Sequence, residues 1–349
     1  MKILINVPQL NLTGGVSSLF NVLKIESNHE NISLFIIKNR LPFILRMPLK
    51  YIEFVYKIFS VDIVHINPSL NRKSFLRDSV FAWLSLFFSK KLIVYWHGWE
   101  ETYEKKIIEN LFLNWVLKAT FLKAQTTIVL GEVFEMKLRK MGYNNKIVIE
   151  TNSAENKYIT NQQPKNIKKT DCINILFLSR LEKAKGVYIA IETLRILNKN
   201  RQKYRLIIAG NGGEVVNVKS FIKDDEFIEL AGYVGETTKH NLLNNSHIMF
   251  LPSYSEGLPL TLLEGMIYGL PIISRPIGGI PDIVINGENG FLIESLEPKV
   301  YSDKIEFLVN SDELYKQISI NNIEKSSLFS PENVRERICN LYSQVNNEK

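Results

Sequence analysis

The sequence predicts an α/β protein made of two doubly wound domains, each with a parallel sheet. The chain of 349 residues is about twice the length of an ordinary single domain. Short runs rich in β-branched residues alternate with helix-length segments from end to end, and one polar stretch interrupts this alternation. Strand–helix alternation builds parallel sheets through right-handed crossovers, so two such sheets are expected.

The first domain is predicted over residues 1–151. Its strands are short apolar runs that begin close to the first residue. We expect these strands at residues 2–7, 33–37, 62–66, 92–96, 127–130 and 146–149.

A polar stretch at 152–171, rich in Asn, Gln and Lys, is the predicted linker. The second domain is expected over 172–330. Its strands are predicted at 173–178, 205–209, 227–230, 248–251, 271–274 and 290–293. Ser330 followed by Pro331 is a typical helix start, and we expect a final helix over about 331–349 that packs back on the first domain.

The composition excludes several classes of protein. With 45% hydrophobic and 23% charged residues, the chain is neither disordered nor fibrous. Two isolated cysteines, Cys172 and Cys339, frame neither a disulfide scaffold nor a cysteine-based zinc site, which favours a reducing compartment. We see neither a secretory signal nor an apolar run of the ~20 residues that a membrane span needs, so a cytoplasmic protein is expected.

The net charge of +7 is placed unevenly, because residues 1–160 hold 21 Lys and Arg against 13 Asp and Glu. Two segments, 43–59 and 72–91, mix basic and aromatic residues at helical spacing. Such helices suit peripheral contact with an anionic membrane, although ordinary helices packed on a sheet have the same pattern. No nucleic-acid-binding motif accompanies the charge, so no nucleic-acid partner is expected.

The most informative stretch is 252–293, where a loop follows an apolar strand and leads into a helix opened by Pro259. Free backbone N–H groups and the positive end of the helix dipole make such a position suitable for a phosphate. Glu256 precedes the helix, and Glu264 lies inside it among apolar residues. A carboxylate there needs hydrogen-bond partners such as ribose hydroxyls, although an isolated pair of glutamates is more often solvated.

The spacing Glu256-x7-Glu264, followed by Gly-Leu-Pro at 269–271 and Gly-Gly-Ile-Pro-Asp at 278–282, resembles the signature of retaining glycosyltransferases of family 4. That family has the GT-B fold, in which two Rossmann-like domains face one another across a cleft. In the second half of the chain the resemblance covers many motif residues. In the first half it covers mainly the order of strands and helices. It implies the same fold for this chain.

The resemblance also implies roles for the residues around the helix start. Glu256 is expected to contact the donor sugar, and Glu264 the nucleotide ribose. The backbone groups of Gly257, Leu258 and Leu260 would face the diphosphate or the sugar.

Arg180 and Lys185, in the loop after the first strand of the second domain, would neutralise the leaving diphosphate without a metal. Weaker matches add donor-binding positions. These are Gly14, Gly15, Gly212, Tyr233 and Val234. His97 ends a strand of the first domain and is expected beside the reacting sugar.

The resulting expectation is a retaining, metal-independent glycosyltransferase that needs no cofactor. It would move a sugar from a nucleotide diphosphate, with UDP favoured, to a hydroxyl of a saccharide or lipid-linked saccharide. Bacterial-type surface polysaccharide assembly at the inner face of the cell membrane would provide such an acceptor. Two alternatives are a noncatalytic nucleotide-sugar-binding subunit and a nucleotide-sugar epimerase of the same fold.

Overall fold

The computed structural model describes residues 1–10, 14–37, 43–154, 163–167, 172–199 and 203–348, with only the backbone at 43–45. These residues form two compact units. The first unit comprises Met1–Ser153 together with Ser330–Lys349, and the second comprises Ala154–Phe329.

The first unit is built on a parallel sheet. Its strands are β1 (Ile3–Pro8), β2 (Ile32–Ile37), β3 (Ile63–Ile66), β5 (Lys91–Tyr95), β7 (Thr126–Val129) and β8 (Lys146–Ile149), and the short strands β4 (Ser69–Leu70) and β6 (Gly98–Trp99) pair separately. The order across the sheet is β2-β1-β3-β5-β7-β8. All four residues of β3 and of β7 are buried, because helices cover both faces of the sheet.

Helices connect these strands. They are α1 (Gly15–Leu23), α2 (Ile25–Asn28), α3 (Phe43–Ile58), α4 (Arg72–Phe87), α5 (Glu101–Glu109), α6 (Leu111–Ala119) and α7 (Glu132–Lys140), with a 3₁₀ turn at Phe121–Lys123. The chain steps from β1 to β2 in one direction and from β2 through β3, β5 and β7 in the other. Right-handed crossovers therefore put α1 on one face of the sheet and α3, α4 and α6 on the opposite face.

The second unit repeats the architecture. Its strands are β9 (Ile173–Leu178), β10 (Tyr204–Ala209), β11 (Ile228–Gly232), β12 (Ile248–Leu251), β13 (Ile272–Ser274) and β14 (Gly290–Leu292), in the order β11-β10-β9-β12-β13-β14. Its helices are α8 (Val187–Leu197), α9 (Val215–Phe221), α10 (Glu236–Asn245), α11 (Leu260–Ile267), α12 (Ile280–Ile283), α13 (Pro298–Val309) and α14 (Asp312–Ser326), with 3₁₀ turns at Lys183–Lys185 and Ser327–Phe329. All pairings are parallel, so the loops after the strands gather at one edge.

The last helix, α15 (Pro331–Asn347), belongs to the first unit and packs against α1. Ser330 caps it by accepting a hydrogen bond from the Asn333 amide, as the sequence predicts. The Arg337 guanidinium donates two hydrogen bonds of 2.8 Å to the Glu150 carboxylate. The Tyr342 hydroxyl lies 2.6 Å from Nδ1 of His65, which is fully buried on β3.

All twelve strands predicted from the sequence are present, with ends that differ by at most a residue or two. The two-residue strands β4 and β6 were not predicted, because nothing in so short a run distinguishes a strand from a loop. The boundary between the two units, between Ser153 and Ala154, lies near the start of the predicted linker. Asn152 and Ser153 are buried in the first unit, and the Lys165 amide donates a hydrogen bond to Ser319 of the second. The rest of that stretch, 155–162 and 168–171, lies outside the described residues.

None of the helices in the described part of the chain is long and apolar enough to cross a membrane.

The buried His65 makes the stability of the first unit depend on pH. Burial lowers its pKa to about 3, whereas a histidine in an unfolded chain titrates near about 6.5. As the pH falls below the unfolded value, the unfolded chain binds a proton that the folded protein does not. The first unit therefore loses stability as the pH falls from the unfolded pKa toward the folded pKa. Above the unfolded pKa, His65 is neutral in both states and causes no loss.

We predict that lowering the pH from about 7.5 to about 5.5 costs the first unit about 1.4 kcal/mol of unfolding free energy through His65. All four tryptophans (Trp83, Trp96, Trp99 and Trp115) lie in this unit, so urea unfolding followed by tryptophan fluorescence reports on it alone. The variant His65→Gln should show a pH dependence that is weaker by about that amount. An equal dependence in both proteins would contradict the assignment.

Candidate functional site

Two loops interlock at the carboxyl edge of the second sheet. The loop 179–186 follows β9, and the loop 252–259 follows the neighbouring strand β12. The Tyr254 amide donates a hydrogen bond of 2.8 Å to the Ala184 carbonyl. Gly186 has a φ of +75°, and a Cβ there would lie 2.1 Å from the Pro252 carbonyl oxygen. Only glycine fits at this contact, so the two loops are held in a fixed relation.

Lys185 and Glu256 are the charged pair at this contact. The Lys185 Nζ lies 2.8 Å from Glu256 Oε2, and the side chains are only 12% and 7% exposed. The Ser253 hydroxyl donates a hydrogen bond of 2.8 Å to the other carboxylate oxygen. Both oxygens of Glu256 are thus engaged by groups from two loops, which fixes the carboxylate at the sheet edge.

The helix α11 begins at Leu260, with Pro259 in the capping position. The predicted start at Pro259 is therefore one residue early, because Pro259 has an extended backbone with a ψ of 121°. Gly257 accepts a hydrogen bond of 2.7 Å from the Gly279 amide, and Leu258 is buried. The loop before α11 is in this way held from both sides, by Lys185 and by the segment after β13.

Glu264 lies on α11 and pairs with a residue that the sequence did not single out. Lys239, on α10, places its Nζ 2.6 Å from Glu264 Oε1. The two side chains are 27% and 19% exposed. Burial raises the pKa of Glu264, and the nearby Lys239 ammonium offsets only part of that rise. Burial alone would lower the pKa of Lys239, but the Glu264 carboxylate outweighs this effect and the pKa is raised. The second glutamate of the predicted signature is accordingly a partly buried carboxylate with one oxygen paired.

The remaining predicted residues of this unit lie on neighbouring loops. Arg180 is 72% exposed and pairs with Glu182 at 2.9 Å, so it is not brought to the Lys185–Glu256 pair. Gly212 packs against the Leu181 carbonyl, and its amide donates to Asn211. Tyr233 and Val234 follow β11, where the Tyr233 side chain is exposed.

A cavity of about 560 Å³ opens beside this edge. Lys183, Gly186, Tyr188, Glu214 and Tyr254 are among its lining residues. The Tyr188 hydroxyl donates a hydrogen bond of 2.6 Å to Glu214. Neither carboxylate of the predicted signature lines this cavity, so it is distinct from the charged cluster around Glu256.

Sequence reasoning also missed Arg275, the first residue after β13. Its guanidinium donates to the carbonyls of Ser253 and Glu294 and lies over the Tyr254 ring at 5.9 Å from the centroid. Its Nε is buried without a hydrogen-bond partner among the described residues. A position directly after a parallel strand is the only signal that could have pointed to it.

In the first unit, three adjacent strands bring polar side chains to the carboxyl edge. Asn6 lies on β1, Asn67 follows β3 and His97 follows β5. The Asn67 amide donates a hydrogen bond of 2.8 Å to the Asn6 carbonyl, so its side-chain oxygen is the group that faces His97 Nε2 at 2.8 Å. This oxygen can only accept, which places the imidazole proton on Nε2.

Burial lowers the pKa of His97 to about 3, with a smaller contribution from His65. His97 is therefore a neutral imidazole at physiological pH. Its Nδ1 is buried and has no hydrogen-bond partner within the described ranges. Gly14 and Gly15 stand at the start of α1, and a Cβ on either would meet no atom of the described residues within 4 Å.

The fold of the whole chain is shared with solved structures, among them a glycosyltransferase from Rickettsia africae, which matches with a TM-score of 0.72 and 18% identity over 100% of this chain and 99% of that one. The crystal structure of Anabaena HepE in complex with UDP-glucose matches with a TM-score of 0.72 and 16% identity over 99% of this chain and 100% of that one. Together with the two parallel-sheet units, this match shows the GT-B fold that the sequence predicts.

Residues 159–325, which are most of the second unit, match the family model for glycosyl transferases group 1. An uncharacterized glycosyltransferase of Haemophilus influenzae is 32% identical over 52% of this chain and 51% of its own length. An uncharacterized glycosyltransferase of Methanocaldococcus jannaschii is 25% identical over 93% of this chain and 90% of its own. The capsular polysaccharide biosynthesis glycosyltransferase CapM of Staphylococcus aureus is 24% identical over 60% and 56%. The chain is thus similar to about half the length of two of these relatives, and these findings support a GT-B glycosyltransferase.

The pairing of Lys239 with Glu264 yields a stability prediction. The variant Lys239→Met leaves a partly buried carboxylate without its cation, and we expect the second unit to lose about 1–3 kcal/mol of unfolding free energy. Adding Glu264→Leu should recover most of the loss. A transition seen by circular dichroism and not by tryptophan fluorescence belongs to this unit, since all four tryptophans lie in the first.

The matched control is Lys219→Met, which removes an exposed lysine of α9. Its unfolding free energy should stay within about 0.5 kcal/mol of that of the unaltered protein. If Lys239→Met also changed the unfolding free energy by no more than about 0.5 kcal/mol, the ion pair would not stabilise the second unit.

Proposed function

We propose that this protein is a retaining glycosyltransferase that moves a sugar from a UDP-sugar to an acceptor hydroxyl. The observation that carries the proposal is the cluster of Lys185, Glu256 and Ser253 in front of α11. It places a cation, a carboxylate and a helix N-terminus within one loop pair at the carboxyl edge of the sheet. Ligands of open α/β sheets bind at such edges.

The chemical difficulty in the reaction is the charge that accumulates on the departing diphosphate. The bond from the anomeric carbon to the diphosphate oxygen breaks while the acceptor oxygen bonds to that carbon from the same face. The acceptor proton passes to the diphosphate. The Lys185 ammonium and the N-terminus of α11 stabilise the leaving group, because both are positioned before the reaction begins.

Glu256 has a second role beside its pairing with Lys185. A carboxylate held by Lys185 and Ser253 accepts hydrogen bonds from donor-sugar hydroxyls without having to reorganise. Glu264, with one oxygen held by Lys239, presents the other to the ribose hydroxyls. Arg180 becomes part of this site only by leaving Glu182, so its contribution would be made when the donor is bound.

The proposed acceptor is a saccharide or lipid-linked saccharide in surface polysaccharide assembly. Support comes from the similarity to CapM, whose name places it in capsular polysaccharide biosynthesis. The donor class is supported by HepE, a structural neighbour that was crystallised with UDP-glucose. The proposal includes metal independence, with Lys185 taking the place of a divalent cation.

Binding of the donor can be tested by thermal shift in EDTA with UDP, GDP, ADP and their sugar conjugates. A ligand at 100 times its dissociation constant adds roughly 2.7 kcal/mol of stability. We expect UDP and a UDP-sugar to raise the melting temperature and the other nucleotides to have little effect. A shift that appears only after Mg²⁺ is added would overturn the metal-independent reaction.

The role of Lys185 can be tested by turnover. The variant Lys185→Met should lower kcat by about 10²–10³, because one preorganised charge facing the leaving group is lost. Lys183→Met, two residues away in the same 3₁₀ turn and exposed, is the control and should keep kcat within about threefold. Equal turnover in the two variants would remove the phosphate role of Lys185.

A further inference from the structure

The first unit has an apolar face that no part of the described chain covers. The outward side chains of α3, α4 and α6 are large and hydrophobic. This outer helical face consists of Leu49, Ile52, Tyr56 and Phe59 of α3 or its end, Leu76, Trp83 and Phe87 of α4, and Leu111, Phe112 and Trp115 of α6. Tyr56 is 84% exposed and Leu111 is 89% exposed.

The three helices that carry these side chains are neighbours on the same side of the sheet. The helix α4 packs against both α3 and α6. At the far ends of α3 and α4, the Phe59 ring contacts Phe88, and Phe88 contacts Phe87, which stacks on Trp83 at 5.3 Å between centroids. On α6, the rings of Phe112 and Trp115 stack on each other.

Packing on the sheet does not require these residues. The inward side of α3 already buries Met47, Phe54 and Ile58, and α4 buries Phe75 and Phe81. A surface helix normally has a polar outer side, so a second apolar stripe on each helix needs another partner.

The acidic residues of α3 and α4 are paired with basic ones, so the unpaired charges on α3, α4 and α6 are positive. The single acidic residue of α3, Glu53, pairs with Lys50 and Lys57, and that of α4, Asp78, pairs with Arg77. The helix α6 contains no acidic residue. Lys118 of α6 and Lys123 of the following 3₁₀ turn are exposed and have no carboxylate partner within the part of the chain that the structure describes, whereas α5 combines Lys105 and Lys106 with three glutamates.

We propose that the outer helical face docks on an anionic phospholipid bilayer. Leu111, Phe112 and Trp115 enter the boundary between headgroups and acyl chains, while the unpaired lysines contact lipid phosphates. Exposed aromatic side chains beside lysines suit this boundary, because aromatic rings can enter the acyl region while the lysine ammonium groups stay among the hydrated headgroups. A protein partner is disfavoured because lysines are depleted in protein–protein interfaces.

This inference deepens the proposed function, since a lipid-linked acceptor would lie in the same bilayer. Docking itself does not depend on transfer, so the two can be tested apart. The full chain is mixed with vesicles of phosphatidylglycerol and phosphatidylcholine, or of phosphatidylcholine alone, and sedimented. We expect pelleting only with the anionic vesicles, and less of it as salt shortens the Debye length.

Removing the aromatic pair tests insertion. The double variant Phe112→Ser/Trp115→Ser should bind anionic vesicles at least about tenfold more weakly, because two inserted rings are lost. Phe307→Ser, which removes an exposed aromatic ring of α13 in the second unit, is the matched control and should leave binding unchanged. Equal binding by the double variant and the control would overturn the inference.

Tryptophan fluorescence reports directly on contact between the outer helical face and the lipid. Trp83 and Trp115 are 50% and 63% exposed and both belong to the outer helical face, whereas Trp96 and Trp99 are buried. Lipids brominated on the acyl chain should quench fluorescence of the unaltered protein, and Trp83→Phe/Trp115→Phe should abolish the quenching. Pelleting without quenching would mean that another surface binds the vesicles.

Two further results separate this inference from its alternatives. If the double serine variant retains the thermal shift with UDP, a loss of vesicle binding concerns the surface alone and leaves the proposed transfer reaction untouched. If sedimentation velocity shows a dimer that the double variant cannot form, and vesicles are not bound, the face is an interface between two copies and the bilayer proposal is wrong.

Discussion

The close approach of two loops at the edge of the second sheet determines the geometry of the candidate site. Lys185 reaches Glu256 only because Gly186 lets the chain after β9 lie against Pro252. The strands β9 and β12 are neighbours in a parallel sheet, so their following loops must emerge side by side. The charged cluster therefore follows from the neighbouring positions of β9 and β12 in the sheet. Gly186 allows it, because any side chain there would clash with the Pro252 carbonyl.

The ion pair also limits what either group can do alone. Each side chain is mostly buried, so removing one partner leaves the other charged in a poorly hydrated place. A diphosphate that approaches Lys185 must compete with Glu256, and a sugar hydroxyl that approaches Glu256 must share its oxygens with Lys185 and Ser253. The cost of this exchange is low only if both parts of the donor arrive together, which favours the intact nucleotide sugar over its fragments.

The sequence was sufficient for the fold, because buried parallel strands are continuous apolar runs that are visible without any structure. The resemblance of the Glu256-x7-Glu264 spacing to a known signature singled out Glu256 and, with it, Lys185; the structure pairs the two side chains, and their roles stay predictions. The sequence could not reveal that Lys239 pairs with Glu264, since a lysine on a helix is ordinarily solvated and the partner lies 25 residues away. It likewise gave no sign that Arg180 turns to Glu182, because side-chain direction in a loop depends on local packing.

The helix α15 belongs to the first unit, although in the sequence it follows the whole of the second unit. Its Tyr342 meets His65, its Arg337 meets Glu150, and the Lys91 ammonium donates to three carbonyls near its end. During synthesis on the ribosome, the second unit is therefore complete while the first still lacks a helix that covers one side of its sheet. The second unit can therefore finish folding first, and β3 of the first unit stays uncovered on one side until α15 emerges from the ribosome.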